Sequence, residues 1–161
     1  LPNEQIAGEE YNFSDRIKVY VLEVKQTTKG PQIYVSRTHP ELVKRLFEQE
    51  VPEVHDGIVE IKSIAREAGS RTKIAVYSKD PNVDAVGACV GQNGCRVNII
   101  VSELNGEKID IIDWNDDPQV FIASALSPSK VVAVKVNEAE QSAKIVVPDH
   151  WQGRPERQTF R

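Results

Sequence analysis

The spacing of apolar residues changes along the middle of the chain, and the changes predict an order of elements. Apolar and polar residues alternate in two runs, which predicts two strands, at residues 58–64 and 73–78. Farther on, apolar residues recur at i, i+3, i+4 and i+7, the stripe of an amphipathic helix, at Val97, Ile100, Val101 and Leu104. Gly106 ends that helix, and a third strand is predicted at residues 108–114.

A loop with a glycine at each end precedes this helix. Asp84 is placed to cap a short helix, which the loop Gly91–Gly94 interrupts. Glycine has no Cβ to hold a ligand away, and a helix that starts at the second glycine offers free N–H groups to an anion. Two helices joined by Gly-x-x-Gly form the nucleic-acid clamp of KH modules. The tetrapeptide alone also fits an ordinary corner between helices, because it occurs often by chance.

The complete order supports the clamp: strand, strand, helix, loop, helix, strand. It predicts an α+β fold, a bacterial-type (type II) KH domain with a three-stranded mixed sheet and helices on one face, flanked by incomplete β elements. A leading helix is predicted from the capping-box spacing of Thr38 and Glu41. Its apolar stripe is Leu42, Val43, Leu46 and Phe47, and residues 51–54 are predicted to end it.

Two hairpins are predicted on either side of this domain. The first has a strand from Ile17, a turn at residues 26–31 and a return to Ser36. The second runs from residue 131 to residue 147, with a polar turn at 137–142. Residues 150–161 are polar, basic and without period, which predicts a loose tail.

Bulk properties narrow the class of protein. The net charge of −4 argues against indiscriminate binding of nucleic acid, so any RNA contact must be local. Two cysteines, no long apolar run and no visible signal peptide predict a cytoplasmic chain with no membrane span and no cofactor. Because the chain begins without Met, we expect that residue 1 is not the natural start.

Candidate catalytic and metal-binding residues do not group into a site. The histidines, His39, His55 and His150, are widely separated, and loop positions explain them better than metal binding. Cys89 and Cys95 lack zinc-knuckle spacing and are predicted to be buried. The carboxylates Asp110, Asp113, Asp116 and Asp117 are assigned to solvent or helix capping, so no enzyme and no metal site is predicted.

The candidate RNA-binding residues are those of the loop and two basic neighbours: Gly91, Gln92, Asn93, Gly94, Arg96 and Lys73. Arg96 follows the loop closely enough to reach a phosphate there, although a surface or salt-bridged position is the alternative. Other basic residues accompany the predicted strands, namely Lys62, Arg66, Arg71 and Lys79. At the first hairpin, Lys25, Lys29 and Arg37 are better explained as a solvated basic turn.

Four segments also resemble the NusA family of bacterial transcription factors: Val59–Ser78, Asp80–Asp84, Gly87–Gly91 and Gly106–Ile111. The resemblance covers about residues 1–149. It implies the end of an OB-fold barrel at 1–38, a first KH domain with its leading helix at 39–128, and the start of a second KH domain at 129–149. The tail at 150–161 does not resemble the family, which a truncated or frame-shifted coding region would explain.

The resemblance implies a function in transcription. The family associates with RNA polymerase and modulates pausing, termination and antitermination, so the expected partners are nascent single-stranded RNA, RNA polymerase and other antitermination factors. The family often has a basic residue inside the loop, where this chain has Gln92 and Asn93, and weaker attraction for phosphate follows. The alternative is a protein-interaction scaffold that docks on RNA polymerase with negligible RNA affinity.

Overall fold

The structure is a computed structural model that describes residues 1–137 and 139–148. The predicted tail, with His150, therefore lies outside the described residues. The strands are β1 (Tyr20–Thr27), β2 (Gly30–Ser36), β3 (Val59–Glu67), β4 (Arg71–Ser78), β5 (Lys108–Asp113), β6 (Ala133–Asn137) and β7 (Ser142–Val146). The helices are α1 (Pro40–Glu50), α2 (Pro52–His55), α3 (Ala85–Val90), α4 (Cys95–Glu103) and α5 (Pro118–Ala125), with 3-10 turns at Pro2–Glu4 and Gln92–Gly94.

The central sheet has three strands in the order β3-β4-β5. β4 is antiparallel to β3 and parallel to β5, and Ile74 at its centre pairs with Ile64 on one side and Ile111 on the other. The parallel pair is possible because α3 and α4 carry the chain back between β4 and β5. The predicted α+β fold with a three-stranded mixed sheet is confirmed.

The main core lies between one face of this sheet and helices α1 to α4. Alternation along β4 turns Ile74 and Val76 toward the helices, where both are fully buried. The helices contribute the predicted stripe of α1 together with Ala85, Cys89, Ile100 and Leu104. Burial of each large apolar side chain contributes about 1.5–3 kcal/mol, so this cluster fixes α3 and α4 on the same face.

A smaller cluster occupies the opposite face of the sheet. Ala75 of β4 and Ile112 of β5 pack there against Ala125 of α5, with Trp114 and Phe121 at the border. Asp117 accepts a hydrogen bond from the Gln119 N–H and caps α5, as the sequence predicts. α5 thus extends the domain behind the sheet.

The start of the leading helix differs in detail from the prediction. The N-cap is His39, whose Nδ1 accepts a hydrogen bond from the Glu41 N–H, whereas the Thr38 hydroxyl donates to Glu4. Thr38 was predicted to form the capping box, but its hydroxyl is taken by the N-terminal segment. Pro52 does not simply end α1; it begins the short helix α2, because proline suits a first helical position.

Arg37 is buried rather than solvated. Its guanidinium pairs with Glu9 and donates hydrogen bonds to the carbonyls of Lys18 and Glu103, and its side chain is only 3% exposed. The prediction of a solvated turn at this residue was wrong, because its partners come from the N-terminal segment and from the end of α4, which no local pattern identifies. This network joins residues 1–18 to the end of α4.

Two separate hairpins flank the domain. β1 pairs with β2, and β6 pairs with β7, each as an antiparallel two-stranded sheet. Both hairpins were predicted, although β1 begins at Tyr20 rather than at Ile17. The assignment of these segments to a barrel and to a second KH domain stays a prediction. Among the described helices, none has the length and apolar character needed to cross a bilayer.

Candidate nucleic-acid interface

The loop between α3 and α4 has a backbone that suits glycine at both ends. Gly91 has φ 75° and ψ 169°, and Gly94 has φ 76° and ψ 13°. Asn93 between them is also left-handed, at φ 53° and ψ 28°, a conformation that Asn tolerates better than most residues. Gln92 and Asn93 are exposed to solvent. The loop therefore projects from the helical face of the sheet and is open to a ligand.

Both glycines also lie close to α4. A Cβ built on Gly91 would be 2.8 Å from Arg96 Cγ and 2.9 Å from Cys95 Sγ. A Cβ on Gly94 would be 3.1 Å from Asn98 Nδ2. From the sequence, glycine is expected in this loop because it lets a ligand approach. The structure gives a second reason at Gly91, because a side chain there would collide with α4.

The start of α4 is oriented toward the loop. Gly94 is its N-cap and supplies no side-chain acceptor, so the first turn presents backbone N–H groups and the positive end of the helix dipole. Asp84 occupies the N-cap position of α3, as predicted, but its carboxylate accepts no capping hydrogen bond. The loop and the start of α4 together form a surface that can accept a phosphate.

Arg96 is held by other groups of the protein. Its Nη1 donates hydrogen bonds to Glu53 Oε2 at 2.9 Å and to the Ala88 carbonyl at 2.7 Å. The sequence allowed two roles for Arg96, a guanidinium free to bind phosphate or a salt-bridged residue. The structure has the salt bridge. Glu53 lies 43 positions away in the chain, so no local pattern could have identified it.

Lys73 is separated from the loop by the sheet. Alternation along β4 places it on the same face as Ala75, opposite the helices that carry the clamp. Its Nζ donates hydrogen bonds to the backbone carbonyls of Ala125, the last residue of α5, and of Ser127. Burial lowers the pKa of Lys73 below its usual value of 10.5. The prediction that Lys73 accompanies the clamp is corrected by this geometry.

The other predicted basic residues form ion pairs. Lys62 and Lys79 both contact Glu60, and their hydrogen bonds lower the pKa of Glu60 to about 2. Arg71 pairs with Asp110 at 2.8 Å. Arg66 is fully buried against Glu107 and is unavailable to RNA. Positive charge near the sheet is therefore largely neutralised by carboxylates, among which only Asp110 was predicted to be solvated.

The two cysteines have different environments. Cys89 is buried in the core, and burial raises the pKa of its thiol to about 12. Cys95 is exposed at the first position of α4, so the prediction of a buried residue was wrong. Its spacing could have indicated this, because an exposed face repeats at i, i+3, i+4 and i+7 through Cys95, Asn98, Ile99 and Ser102. These residues line a shallow depression beside the clamp.

No cluster of metal-ligating side chains was found in the parts of the chain that the structure describes. The site is thus an uncharged loop beside a helix start and a mixed polar and apolar helix face. Such a surface can bind a phosphodiester backbone through N–H groups and can contact bases through side chains.

Comparison with known proteins identifies the family of this domain. The family model for the NusA-like first KH domain matches residues 37–114. The chain is 63% identical over 148 residues to the transcription termination/antitermination protein NusA of Bacillus subtilis, covering 92% of this chain and 40% of that protein. It is 53% identical over 147 residues to NusA of Mycobacterium tuberculosis, covering 91% and 42%, and 48% identical over 145 residues to NusA of Thermus thermophilus, covering 90% and 38%. The chain thus spans about 40% of the length of these relatives.

Proposed function

Residues 37–114 belong to the family of NusA-like first KH domains, in a chain that matches part of the NusA proteins, and on this premise we propose that the protein binds nascent single-stranded RNA through its clamp. The relatives are named as transcription termination and antitermination proteins. We therefore assign the chain a role with RNA polymerase in pausing, termination and antitermination. Its place of action is the cytoplasm, and its role is binding rather than catalysis.

One observation carries this proposal: the exposed loop Gly91–Gly94 between two helices on one face of the sheet. Phosphates approach the loop and the start of α4, where backbone N–H groups and the helix dipole favour an anion. Gln92 and Asn93 add neutral hydrogen-bonding groups. Bases then lie beside α4, where Asn98 and the half-exposed Ile99 offer a polar and an apolar contact.

The alternative role, a scaffold that docks on RNA polymerase, is favoured by a specific observation. Lys62, Arg71 and Lys79 on and beside the sheet are paired with carboxylates, so the local positive charge that normally supports RNA affinity is reduced. A protein partner does not need that charge. The two roles make different demands on the loop, which allows them to be separated.

The test introduces negative charge at the clamp. In the variant Gln92→Asp/Asn93→Asp, each carboxylate at about 5 Å from a phosphate adds roughly 0.8 kcal/mol of repulsion in a water-like dielectric and roughly 3 kcal/mol at an effective value near 20. Fluorescence anisotropy with short single-stranded RNAs should therefore show affinity reduced at least about tenfold. Asn93 is already left-handed, a conformation that Asp also tolerates, so the fold should be retained.

The matched control is Gln119→Glu/Gln141→Glu, which adds the same charge at two exposed positions on α5 and in the β6–β7 turn. It should reduce affinity far less than the clamp variant. Equal effects of the two variants would show that total charge rather than the clamp governs binding. Unchanged RNA affinity in the clamp variant, or none in the parent protein, would favour the scaffold.

A further inference from the structure

The side chain of Arg96 joins three helices around the clamp. Arg96 lies in the first turn of α4, and its Nη1 donates to the Ala88 carbonyl in α3 and to Glu53 in α2. Ala88 belongs to the last turn of α3, whose carbonyls have no partner within that helix. One guanidinium therefore fixes the end of the helix before the loop relative to the start of the helix after it.

The stem of the same side chain contacts the loop itself. A Cβ at Gly91 would meet Arg96 Cγ at 2.8 Å and the Arg96 backbone nitrogen at 3.0 Å, so the Gly91 backbone lies directly against this residue. Because Gly91 has φ 75° and ψ 169°, a conformation reserved for glycine, the loop depends on its surroundings to stay in this shape. Movement of Arg96 would remove one of the contacts that hold the loop.

Glu53 determines where the guanidinium points. The side chains of Arg96 and Glu53 are 29% and 30% exposed, and partly exposed pairs of this kind contribute little to global stability. The pair instead orients the Arg96 guanidinium, because the Glu53 carboxylate draws it toward α2. A phosphate that used Arg96 Nη1 would have to compete with both Glu53 and the Ala88 carbonyl.

We infer that Arg96, held by Glu53, is a positioning residue that keeps the Gly91–Gly94 loop in the conformation that accepts RNA, and that it is not itself a phosphate ligand. The RNA part of this inference rests on the proposed function, whereas the positioning part does not. The two possible roles of Arg96 predict opposite changes in RNA affinity when Glu53 is removed. If Arg96 binds phosphate, removal of its competitor strengthens RNA binding; if it positions the loop, removal weakens binding.

The first measurement is amide hydrogen exchange on the full chain with Glu53→Ala. The Gly91 and Gly94 N–H groups donate to the Gly87 and Gly91 carbonyls at 2.9 Å and 3.1 Å, so both report on the loop. We expect their exchange to accelerate at least about tenfold, while amides of the central strand β4 keep the rate of the parent protein. A purely global loss of stability would accelerate both sets together and would overturn the inference.

The second measurement is RNA affinity as a function of salt. With Glu53→Ala we expect affinity to fall about threefold to tenfold while the slope of log affinity against log salt stays unchanged. Glu53→Gln retains an oxygen acceptor for Arg96 and should restore both the slow loop exchange and most of the affinity. Tighter binding of RNA by Glu53→Ala, or a loop exchange rate equal to that of the parent, contradicts the positioning role.

A matched control is available on α1. Glu48→Ala breaks the Arg45–Glu48 ion pair, which lies within α1 and in which the Glu48 side chain is 27% exposed. It should leave loop exchange and RNA affinity unchanged; a change equal to that of Glu53→Ala overturns the assignment. The exchange measurement uses no RNA, so faster loop exchange in a protein that binds no RNA would reject the proposed function alone.

Discussion

Arg66 and Glu107 form a two-pronged ion pair with both side chains fully buried. Arg66 Nε and Nη2 each donate to one carboxylate oxygen of Glu107 at 2.9 Å, and the third guanidinium nitrogen donates to the His39 carbonyl. Glu107 also accepts hydrogen bonds from the Thr72 hydroxyl and the Gly69 N–H. The pair thus joins β3, the β3–β4 turn, the entry to β5 and the start of α1.

Replacement of Glu107 by Gln should destabilise the protein strongly. The substitution leaves the Arg66 charge buried without a counter-charge, which typically costs about 3–5 kcal/mol. The free energy of unfolding, measured with urea, should fall by this amount. The double variant Arg66→Met/Glu107→Leu removes both charges and should lose less than the single variant. A single-variant loss below about 1 kcal/mol would contradict a dry, fully paired site.

Stability should also fall at acidic pH. Burial raises the pKa of Glu107, but hydrogen bonds from Arg66, Thr72 and Gly69 outweigh burial and leave the pKa below its usual value of 4.5. The hydrogen bond from Arg37 likewise lowers the pKa of Glu9 below 4.5. Because both folded pKa values are depressed, the unfolded chain binds protons first as the pH falls, so the stabilisation present above about pH 4.5 is lost below it.

Each of these two carboxyls should add at most about 1.4 kcal/mol per pH unit to the slope of unfolding free energy below their usual pKa. Urea unfolding between neutral pH and pH 3 provides the measurement. The variant Glu9→Gln should show a shallower acid slope than the parent protein. A slope unchanged by this variant would mean that Glu9 does not take up its proton on unfolding.

Two glycines of nearly equal φ should differ in how well they tolerate a side chain. Gly57 has φ 74°, and no atom of the described residues lies within 4 Å of the position a Cβ would take, whereas Gly91 has φ 75° and would place its Cβ against Arg96 and Cys95. Gly57→Ala should cost about 1–2 kcal/mol for the left-handed backbone. Gly91→Ala should cost a further 1–3 kcal/mol, roughly, because its ψ of 169° is a conformation that only glycine adopts readily and because α4 must move. Equal losses of unfolding free energy would show that neither this backbone conformation nor the contact with α4 adds a cost at Gly91.

Helices and strands could be predicted from the sequence, because burial of one face sets the spacing of apolar residues along each of them. The stripe of α1 and the alternation of β4 are both present, since Phe47 and Ile74 can be buried only at those spacings. The loop at Gly91–Gly94 could also be located, because two glycines at a break in periodicity leave few alternatives. These signals are local, and the fold class follows from their order.

Partners of charged residues could not be predicted in the same way. Arg66 and Glu107 are 41 positions apart, and Arg96 and Glu53 are 43 apart, so only the folded chain brings them together. Basic residues that look available in the sequence are consequently paired in the structure. Lys73 was predicted to accompany the clamp because the order of elements does not indicate which face of β4 the clamp helices cover.

Because the loop is neutral, we predict how RNA affinity depends on salt. Gln92 and Asn93 add no charge, and Arg96 is paired with Glu53, so RNA affinity should depend only weakly on salt, because a slope of about −0.7 arises only for each phosphate that a Lys or Arg neutralises. Gln92→Lys places one positive charge on the loop, where solvent exposure allows the side chain to reach a phosphate. It should raise RNA affinity and steepen the slope by about 0.7.

The control, Gln119→Lys, adds the same charge on α5, behind the sheet and away from the clamp. Anisotropy titrations of both variants over a range of salt separate a local contact from general attraction. A local contact changes the slope in Gln92→Lys alone, because the release of a counterion requires a lysine at the phosphate. If both lysines steepen the slope equally, RNA is attracted to the protein as a whole, and the loop does not hold the backbone.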